Sequence, residues 1–562
     1  MPCDARSLLR PSVLALSAPL FAALPVPAEP LLDDGCTSLL VTKEASADGS
    51  VMIVYTNDAE YHPRLRRIPA ADHAPGSFVA GLGQGRVAEV PHTYAVVGWV
   101  NEHQLAIGES TFGGRPELVD SEGFLDYDEL MLLALERART AREAIDVMAG
   151  LVAAYGYRSS GESISIGDPE EAWLLEIVGR GPGQRGAEWV AVRIPAGHIC
   201  AHANKARIGE FPLDDPENCR HSEGVIATAV ERGWWDPASG APFRFCDAYC
   251  PPTPAMLRIT ETRVWSLYRR AAPSRAGELD PAYHRGVPGA APYPLSIAPD
   301  AKLSLADVFA LMRDHYEGTD FDMTKGIDAG PFGNPFRVRP LDWAVDGVAQ
   351  VWERPISAQH TACSFVSQSR AWLPDAVGGV MWYGVEDTNY TCYAPLYCCI
   401  DALPASFTTG SIDRYSRDSA WWVFNFVANY SYLMYSEMIG DIRAVQSELE
   451  GHHLALQPAV EQTAVELART NPDLLVRYLT DYSVTHAELV VERYRALGDH
   501  LITRFNDGFV GGESRGYPEA WRREVVEARP DRYRVPAGVP EGESYDGEGA
   551  GGAPAAGEGS GR

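Results

Sequence analysis

Residues 36–60, CTSLLVTKEASADGSVMIVYTNDAE, carry the clearest fold signal in this chain of 562 residues. Two apolar runs, residues 39–41 and 51–54, flank the turn-forming segment 47–50, ADGS. Short apolar runs on either side of turn residues are typical of paired strands. The sequence therefore predicts two strands joined by a turn, and Cys36 opens the first of them.

The pattern alternates between strand and helix outward from this stretch. Residues 93–110, 162–178 and 187–203 are apolar runs broken by turn residues, which predict further strands. Residues 126–153 place Leu, Ala, Ile and Met at helical spacing, and residues 417–505 are mainly helical. Strand pairs, helix, then strand pairs indicate an α+β fold with packed antiparallel sheets and flanking helices.

Two regions lack this regularity. Residues 211–300 are rich in Pro, Trp and Arg with little periodicity, so we expect a loop-rich insertion within one domain spanning residues 36–505. From residue 530 to residue 562, Gly, Ala, Pro and Glu dominate and apolar residues are sparse. That composition predicts a disordered acidic tail.

The first 35 residues predict export. Arg6 and Arg10 precede the apolar stretch 12–28, which ends in small residues and is short for a membrane-spanning helix. We expect a signal peptide over residues 1–28, a propeptide over residues 29–35, and no membrane association after their removal. The mature chain would be periplasmic, vesicular-lumenal or extracellular; the alternative is an ordinary buried segment.

The overall charge and the cysteines limit the partners. Acidic residues outnumber basic ones 76 to 48, a formal charge of -28, which disfavours nucleic acid as a partner. Besides Cys3 and Cys36, eight cysteines remain, an even number compatible with disulfides of undetermined connectivity. Cys246 and Cys250 could instead hold zinc, but no second pair with ligand spacing supports that.

Cys36 acquires a special chemistry if a processing step makes it the first residue. Its own α-amino group, with a pKa near 7.7–8.0 in model compounds, could then act as base for its thiol. The thiolate would attack a carbonyl carbon, and the amine would pass its proton to the leaving nitrogen. This chemistry requires a free N-terminus, which would account for a precursor.

Five ordered segments resemble the C69 dipeptidase family, the dipeptidase A-like and secernin-like N-terminal-nucleophile hydrolases. The resemblance implies a four-layer αββα sandwich, here with extra C-terminal helices, and peptidase activity on small peptides, usually dipeptides. It implies no metal or organic cofactor. The segments are residues 36–60, 98–114 (GWVNEHQLAIGESTFGG), 161–179 (GESISIGDPEEAWLLEIVG), 189–211 (WVAVRIPAGHICAHANKARIGEF) and 364–384 (SFVSQSRAWLPDAVGGVMWYG).

The resemblance also assigns catalytic roles. Cys36 matches the nucleophile, and Asp58 matches an acid that orients the cysteine's amino group. Asn101 matches an amide that donates to the oxyanion, and Asn204 matches a second amide that holds the substrate or the nucleophile loop. Arg370 matches an arginine that faces the thiolate and would lower the pKa of the thiol.

Three residues are predicted to bind substrate. Glu102 and Glu109 could each bind the free amino terminus of a peptide. Tyr55 stands three residues before Asp58, where related acylases of this fold carry an arginine. This departure leaves the substrate class open.

Three functions are compatible with these observations. The first is a cysteine dipeptidase, and the second is an amidase or acylase acting on N-acyl amides. The third is a non-catalytic, secernin-like protein that keeps only the fold. The chain could also form homo-oligomers, and its preference for substrate side chains is not determined by these patterns.

Overall fold

The computed structural model describes residues 35–80, 82 and 86–534. The predicted signal peptide, all but the last residue of the predicted propeptide, and the tail beyond residue 534 lie outside these residues and stay predictions. Among the described residues, none of the helices combines the length and apolar character that a bilayer crossing needs.

Every ladder between the strands of the described residues is antiparallel. The strands are β1 (Gly35–Val41), β2 (Met52–Asp58), β3 (Arg67–Ile68), β4 (Ala71–Asp72), β5 (His92–Thr93), β6 (Val96–Val97), β7 (Val100–Asn101), β8 (Ala106–Gly113), β9 (Gly161–Gly167), β10 (Ala172–Gly179), β11 (Ala187–Arg193), β12 (Ile199–His202), β13 (Cys219–His221), β14 (Asp342–Val345), β15 (Val348–Val351), β16 (Thr361–Gln368), β17 (Val380–Val385), β18 (Ala394–Tyr397), β19 (Phe509–Val510) and β20 (Glu513–Ser514).

Most of the helices lie in the two regions predicted to be helical and in the region predicted to be loops, and four short ones lie outside these regions. They are α1 (Tyr127–Arg137), α2 (Ala141–Tyr155), α3 (Val225–Glu231), α4 (Phe245–Tyr249), α5 (Pro254–Ala271), α6 (Leu305–Met312), α7 (Asp375–Gly378), α8 (Ala405–Thr408), α9 (Ala420–Ser431), α10 (Tyr435–Thr470), α11 (Pro472–Arg504) and α12 (Glu519–Ala528).

The two strands predicted within residues 36–60 form the middle of a six-stranded sheet. Its order is β12-β1-β2-β16-β17-β18. β1 pairs with β2 so that Gly35 lies opposite Asp58 and Cys36 lies opposite Asn57. All seven residues of β1 are buried, which explains why its second half, residues 39–41, is an unbroken apolar run instead of an alternating one.

An eight-stranded sheet, β13-β11-β10-β9-β8-β7-β6-β3, packs against the first. Two glycines permit their close approach. A Cβ on Gly108 of β8 would lie 2.8 Å from Cβ of Tyr55, and one on Gly167 of β9 would lie 2.7 Å from Cγ1 of Ile53. Any larger residue at either position would push the sheets apart, so these glycines set how closely β2 faces β8.

Helices cover the outer faces of both sheets. α2 packs against β9, β10 and β11, and α1 packs against β7 and β8, around a core separate from the larger one. α9, α10 and α11 pack against β17 and β18, while α5 and α6 contact β12 and β16. The result is a mixed fold of antiparallel sheets and helices, which agrees with the α+β class expected from the sequence.

The predicted loop-rich region 211–300 contains a long helix instead. The eighteen residues of α5 include a nearly continuous buried run from Ile259 to Tyr268. That run includes the charged side chains of Glu261 and Arg263. A helix buried on nearly all sides lacks the alternation of apolar and polar faces by which a surface helix is recognised, so the sequence pattern did not predict it.

The cysteines of the described residues all carry free thiols: Cys36, Cys200, Cys219, Cys246, Cys250, Cys363, Cys392, Cys398 and Cys399. The disulfides considered for the eight cysteines other than Cys3 and Cys36 are therefore not formed here. Among the described residues, no group of three or more His, Cys, Asp or Glu is placed to hold a metal ion. The structure therefore shows no such group around Cys246 and Cys250.

Candidate active site

Cys36 is the second residue of β1, and its side chain points towards the eight-stranded sheet. Its Sγ donates to Oε1 of Glu109 on β8 at 3.4 Å, and Oη of Tyr55 lies 4.0 Å away. Burial, together with the charges of Glu109 and Asp58, raises the pKa of the Cys36 thiol well above its ordinary value. The thiol therefore stays protonated at neutral pH and needs a base before it can attack a carbonyl.

Asp58 ends β2 directly opposite Gly35, next to the backbone nitrogen of the nucleophile. Its Oδ2 accepts a hydrogen bond from Nη2 of Arg354 at 2.7 Å, and its Oδ1 accepts one from Oγ1 of Thr361 at 2.6 Å. Both members of the ion pair are buried. The carboxylate is thus fixed at the end of β2, on the residue that lies opposite Gly35.

Asn204 follows β12 in the left-handed conformation, with φ of 56°, which asparagine tolerates better than most residues. Its Nδ2 donates to the carbonyl oxygen of Thr111 at 2.6 Å, and its Oδ1 accepts from Nη2 of Arg263 at 2.8 Å. The side chain is therefore fixed at both ends beside the start of β1.

Two buried arginines complete the cluster, and sequence analysis missed both. Arg263 on α5 donates through Nη1 to the carbonyl oxygen of Cys36 and to Oγ1 of Thr37, each at 2.9 Å. Burial and the neighbouring Arg354 lower the pKa of Arg263 to about 9. Arg263 and Arg354 lie outside the five segments that resemble the family, and no local motif marks them.

Tyr55 holds an acid against the thiol. Its Oη donates to Oε1 of Glu109 at 2.7 Å and accepts from Nδ2 of Asn57 at 2.7 Å. Burial raises the pKa of Glu109, and burial together with the charge of Glu109 raises the pKa of Glu162 well above its usual range. Glu109 and Glu162 thus form a pair of buried carboxyl groups next to the thiol, and a cation bound there would be favoured because it would offset their negative charge.

The structure does not bring Arg370 or Glu102 to Cys36, which corrects both predictions. Arg370 forms an ion pair with Oε1 of Glu461 at 2.5 Å and donates to two carbonyl oxygens of α7. Glu102 lies in the turn after β7, and its Oε1 accepts from the backbone nitrogen of Ala95, just before β6, at 3.0 Å. Both residues lie within segments that resemble the family, but a segment match does not show which way a side chain points.

Asn101 is buried, but its amide group is committed elsewhere, so the structure also corrects its assignment as an oxyanion donor. Nδ2 donates to the carbonyl oxygens of Leu135 and Ala138 at 2.8 and 2.7 Å. Oδ1 accepts from the backbone nitrogens of His103 and Leu105 at 3.0 and 3.1 Å. Asn101 therefore ties the end of α1 to the turn after β7.

Replacing Asn101 with alanine should lower stability without affecting catalysis. The change leaves two buried carbonyl groups and two backbone N–H groups short of partners, and we expect a loss of about 3 kcal/mol in the free energy of unfolding. Chemical denaturation and kcat/KM of the folded protein would measure this. An unchanged stability with a kcat reduced by about 100-fold or more would instead return Asn101 to an oxyanion role.

His202, at the end of β12, bridges the two sheets as a neutral side chain. Its Nδ1 and Nε2 lie 2.6 and 2.7 Å from the hydroxyl groups of Ser110 and Ser165. Burial and the charges of Arg207 and Arg263 lower the pKa of His202 from 6.5 to about 3. The imidazole is therefore a structural link and carries no charge at neutral pH.

The His202 bridge should make stability depend on pH. Between pH 6.5 and about 3 the unfolded chain binds one more proton than the folded chain at this site. The contribution is therefore complete above pH 6.5 and is lost as pH falls, by at most about 1.4 kcal/mol per pH unit. His202→Gln should flatten the measured dependence of unfolding free energy on pH by that amount. Parallel curves for the two proteins would contradict this.

The comparisons with known proteins point to one family. The model for peptidase family C69 matches residues 68–448, a range that includes Glu109, Asn204, Arg263 and Arg354, while Cys36 and Asp58 precede it. A probable dipeptidase of Salmonella dublin is 26% identical over 385 residues, covering 64% of this chain and 80% of the relative.

Two further relatives extend this similarity. A probable dipeptidase of Latilactobacillus sakei is 27% identical over 384 residues, covering 64% of this chain and 74% of its own length. A probable dipeptidase B of Streptococcus pyogenes serotype M1 is 22% identical over 495 residues, covering 83% of this chain and 92% of the relative.

Proposed function

Because the chain belongs to peptidase family C69, we propose that it is a cysteine dipeptidase whose nucleophile is Cys36, freed as an N-terminal residue by cleavage after Gly35. One observation carries the proposal. The thiol of Cys36, the carboxylate of Asp58 and the amide of Asn204 form one buried cluster with two arginines. The β-sheet register, in which Asp58 lies opposite Gly35, supports a role for Asp58 in orienting the amine that cleavage would free.

The reaction follows from this arrangement. After cleavage the α-amino group of Cys36 takes the thiol proton, and Asp58 orients the resulting ammonium. Sγ attacks the carbonyl carbon of the peptide, the amine returns the proton to the leaving nitrogen, and water hydrolyses the thioester. In the mature chain the amino group supplies the base for substrate hydrolysis, because burial raises the pKa of the Cys36 thiol and keeps it protonated.

Glu109 supports a preference for substrates with a free amino terminus. Its carboxylate lies 3.4 Å from Sγ of Cys36 and is held there by Tyr55. A free ammonium group on the α-carbon next to the attacked carbonyl would find a buried acid partner there, and an acylated nitrogen would not. The tyrosine where related acylases carry an arginine thus favours peptides over N-acyl amides.

N-acetylation of a dipeptide should lower kcat/KM by about 100-fold, because a buried acid would lose its charged partner. The ratio of kcat/KM for the free and acetylated dipeptides would be measured on the purified wild-type chain, with its N-terminal residue determined. Glu109→Gln should reduce this ratio to near 1, and Glu102→Gln is the control that keeps it. The ratio is measured on the chains that begin at Cys36, so it does not depend on what fraction of each variant has matured.

Other results would support other functions. Faster turnover of N-acyl amides than of dipeptides would favour the acylase hypothesis. A wild-type chain that begins at Cys36 and hydrolyses neither class would favour a non-catalytic protein.

The remaining predictions accompany this proposal. The contacts of α1 and α2 with one sheet and of α5, α6 and α9–α11 with the other support a four-layer αββα arrangement. The basic and apolar character of residues 1–28 supports export to the periplasm, a vesicle lumen or the medium. Assembly into homo-oligomers stays a prediction.

A further inference from the structure

We propose that Arg354 is the oxyanion donor for self-cleavage of the Gly35–Cys36 bond, and that Asn204 and Arg354 together restrict residue 35 to glycine. This inference rests on the proposed function, because it describes how the N-terminal nucleophile would be released. It assigns a role to Arg354, which lies outside the matched segments, and it explains why residue 35, which cleavage removes, is a glycine.

The space beside Gly35 is closed. A Cβ built on Gly35 would lie 2.5 Å from Oδ1 of Asn204 and 2.9 Å from its Cγ, and it would clash with Nη1 of Arg354. The backbone of Gly35 is not left-handed, so the requirement is for space and not for conformation. Neither neighbour can move easily, because both are buried. The Asn204 amide is bonded at both ends, and Nη2 of Arg354 is bonded to the Gly35 carbonyl and to Asp58.

Two different arginines hold the two carbonyl groups that flank the bond. Nη2 of Arg354 donates to the carbonyl oxygen of Gly35 at 2.8 Å. Nη1 of Arg263 donates to the carbonyl oxygen of Cys36 at 2.9 Å. The ion pair with Asp58 holds Arg354 in place. A fixed cation on a carbonyl oxygen in a buried site stabilises the negative charge that develops there during attack.

Before cleavage the nitrogen of Cys36 is an amide and cannot serve as a base. The acceptor in reach of the thiol is Oε1 of Glu109, at 3.4 Å. Glu109 takes the proton, Sγ bonds to the carbonyl carbon of Gly35, and the oxyanion forms against Arg354. The C–N bond then breaks, and Glu109 returns the proton to the departing nitrogen, which leaves a thioester and a free amine. Water from the solvent hydrolyses the thioester to the Gly35 carboxylate and the Cys36 thiol.

Arg354 keeps a function after Gly35 has left. Its pair with Asp58 does not involve residue 35, so the same guanidinium continues to position the acid beside the new α-amino group. The mature chain therefore does not depend on which residue stood at position 35. This separation makes the proposal testable.

The test follows maturation of the full chain by intact mass over time, for wild type, Gly35→Ala, Gly35→Ser and Arg354→Lys. Both glycine variants should produce chains beginning at Cys36 at least about 100-fold more slowly than wild type. Arg354→Lys should be about 10- to 100-fold slower, since the ammonium of lysine ends a differently shaped side chain and does not reproduce the position of Nη2, which serves both Asp58 and the Gly35 carbonyl. Gly440→Ala is the matched control, because a Cβ there meets nothing within 4 Å.

A folding defect would also block cleavage, so thermal unfolding of each precursor accompanies the masses. Any Gly35→Ala molecules that do begin at Cys36 are identical to wild type and should have its specific dipeptidase activity. Should the glycine variants fail to fold, Arg354→Lys decides the matter.

The proposal is overturned if folded Gly35→Ala and Gly35→Ser, or folded Arg354→Lys, mature within about threefold of wild type. In that case a wild type that begins at Cys36 and hydrolyses dipeptides would leave the proposed function intact. A wild type that keeps residues before Cys36 and is inactive would instead contradict the proposed function itself.

Discussion

Cys36→Ala is expected to keep the residues before position 36 and to lose dipeptide hydrolysis by about 10⁴-fold or more. The same Sγ would carry out both reactions, first on the carbonyl of Gly35 and then on the substrate, and alanine offers no nucleophile for either. Intact mass and N-terminal sequencing report the first loss, and a dipeptide assay reports the second. The substitution removes one buried sulfur atom, so the fold should persist.

Cys200→Ala is the matched control for this experiment. Cys200 is a fully buried free thiol on β12, in the same sheet, opposite Leu40. Its replacement should cost about 1 kcal/mol of stability and leave maturation and turnover unchanged. If Cys36→Ala still loses the residues before position 36, another protease performs the cleavage. If it still hydrolyses dipeptides, Cys36 is not the nucleophile.

Asp58→Asn is expected to have the largest effect on stability. The carboxylate and its partner Arg354 are both buried, with side-chain exposures of 0% and 2%. Removing one charge leaves the other without compensation, which costs about 3–5 kcal/mol in such pairs. Urea denaturation would measure the change. Activity and self-cleavage should fall as well, since Asp58 orients the amine and Arg354 holds the Gly35 carbonyl.

An exposed ion pair is the control for the buried one. Asp499 pairs with Arg417 at 2.9 Å, but both side chains are more than half exposed. Asp499→Asn should change the free energy of unfolding by less than about 1 kcal/mol and leave catalysis unaffected. Equal effects of the two substitutions would show that the Asp58–Arg354 pair does not have the role we infer from its burial.

Part of the site could be predicted from the sequence because short segments on adjacent strands stay together in the fold. Tyr55 and Asp58 lie within the matched segment 36–60, and β2 pairs directly with β1. Glu109 lies in the second segment and faces them from β8. Asn204 follows a strand that pairs with β1. In each case a single ladder or sheet contact links the predicted residue to Cys36.

The misassigned residues show what a motif leaves open. Asn101 and Arg370 lie in matched segments, yet their side chains bond to α1 and to Glu461, away from the thiol. Neighbouring residues of a strand face opposite sides of the sheet, and turn residues follow neither side regularly. Residue identity without side-chain direction therefore could not exclude these positions.

The sequence by itself determined the strand pair that begins at Cys36, the α+β class, the C-terminal helices and the family, because these depend on local periodicity and on ordered segments. Only the tertiary structure decided which cations surround the thiol. Arg263 comes from a helix buried on nearly all sides, and Arg354 comes from an irregular segment before β16. A buried charged residue is stabilised by partners that are distant in the sequence. Those partners follow no periodic pattern along the chain, so sequence analysis could not identify them.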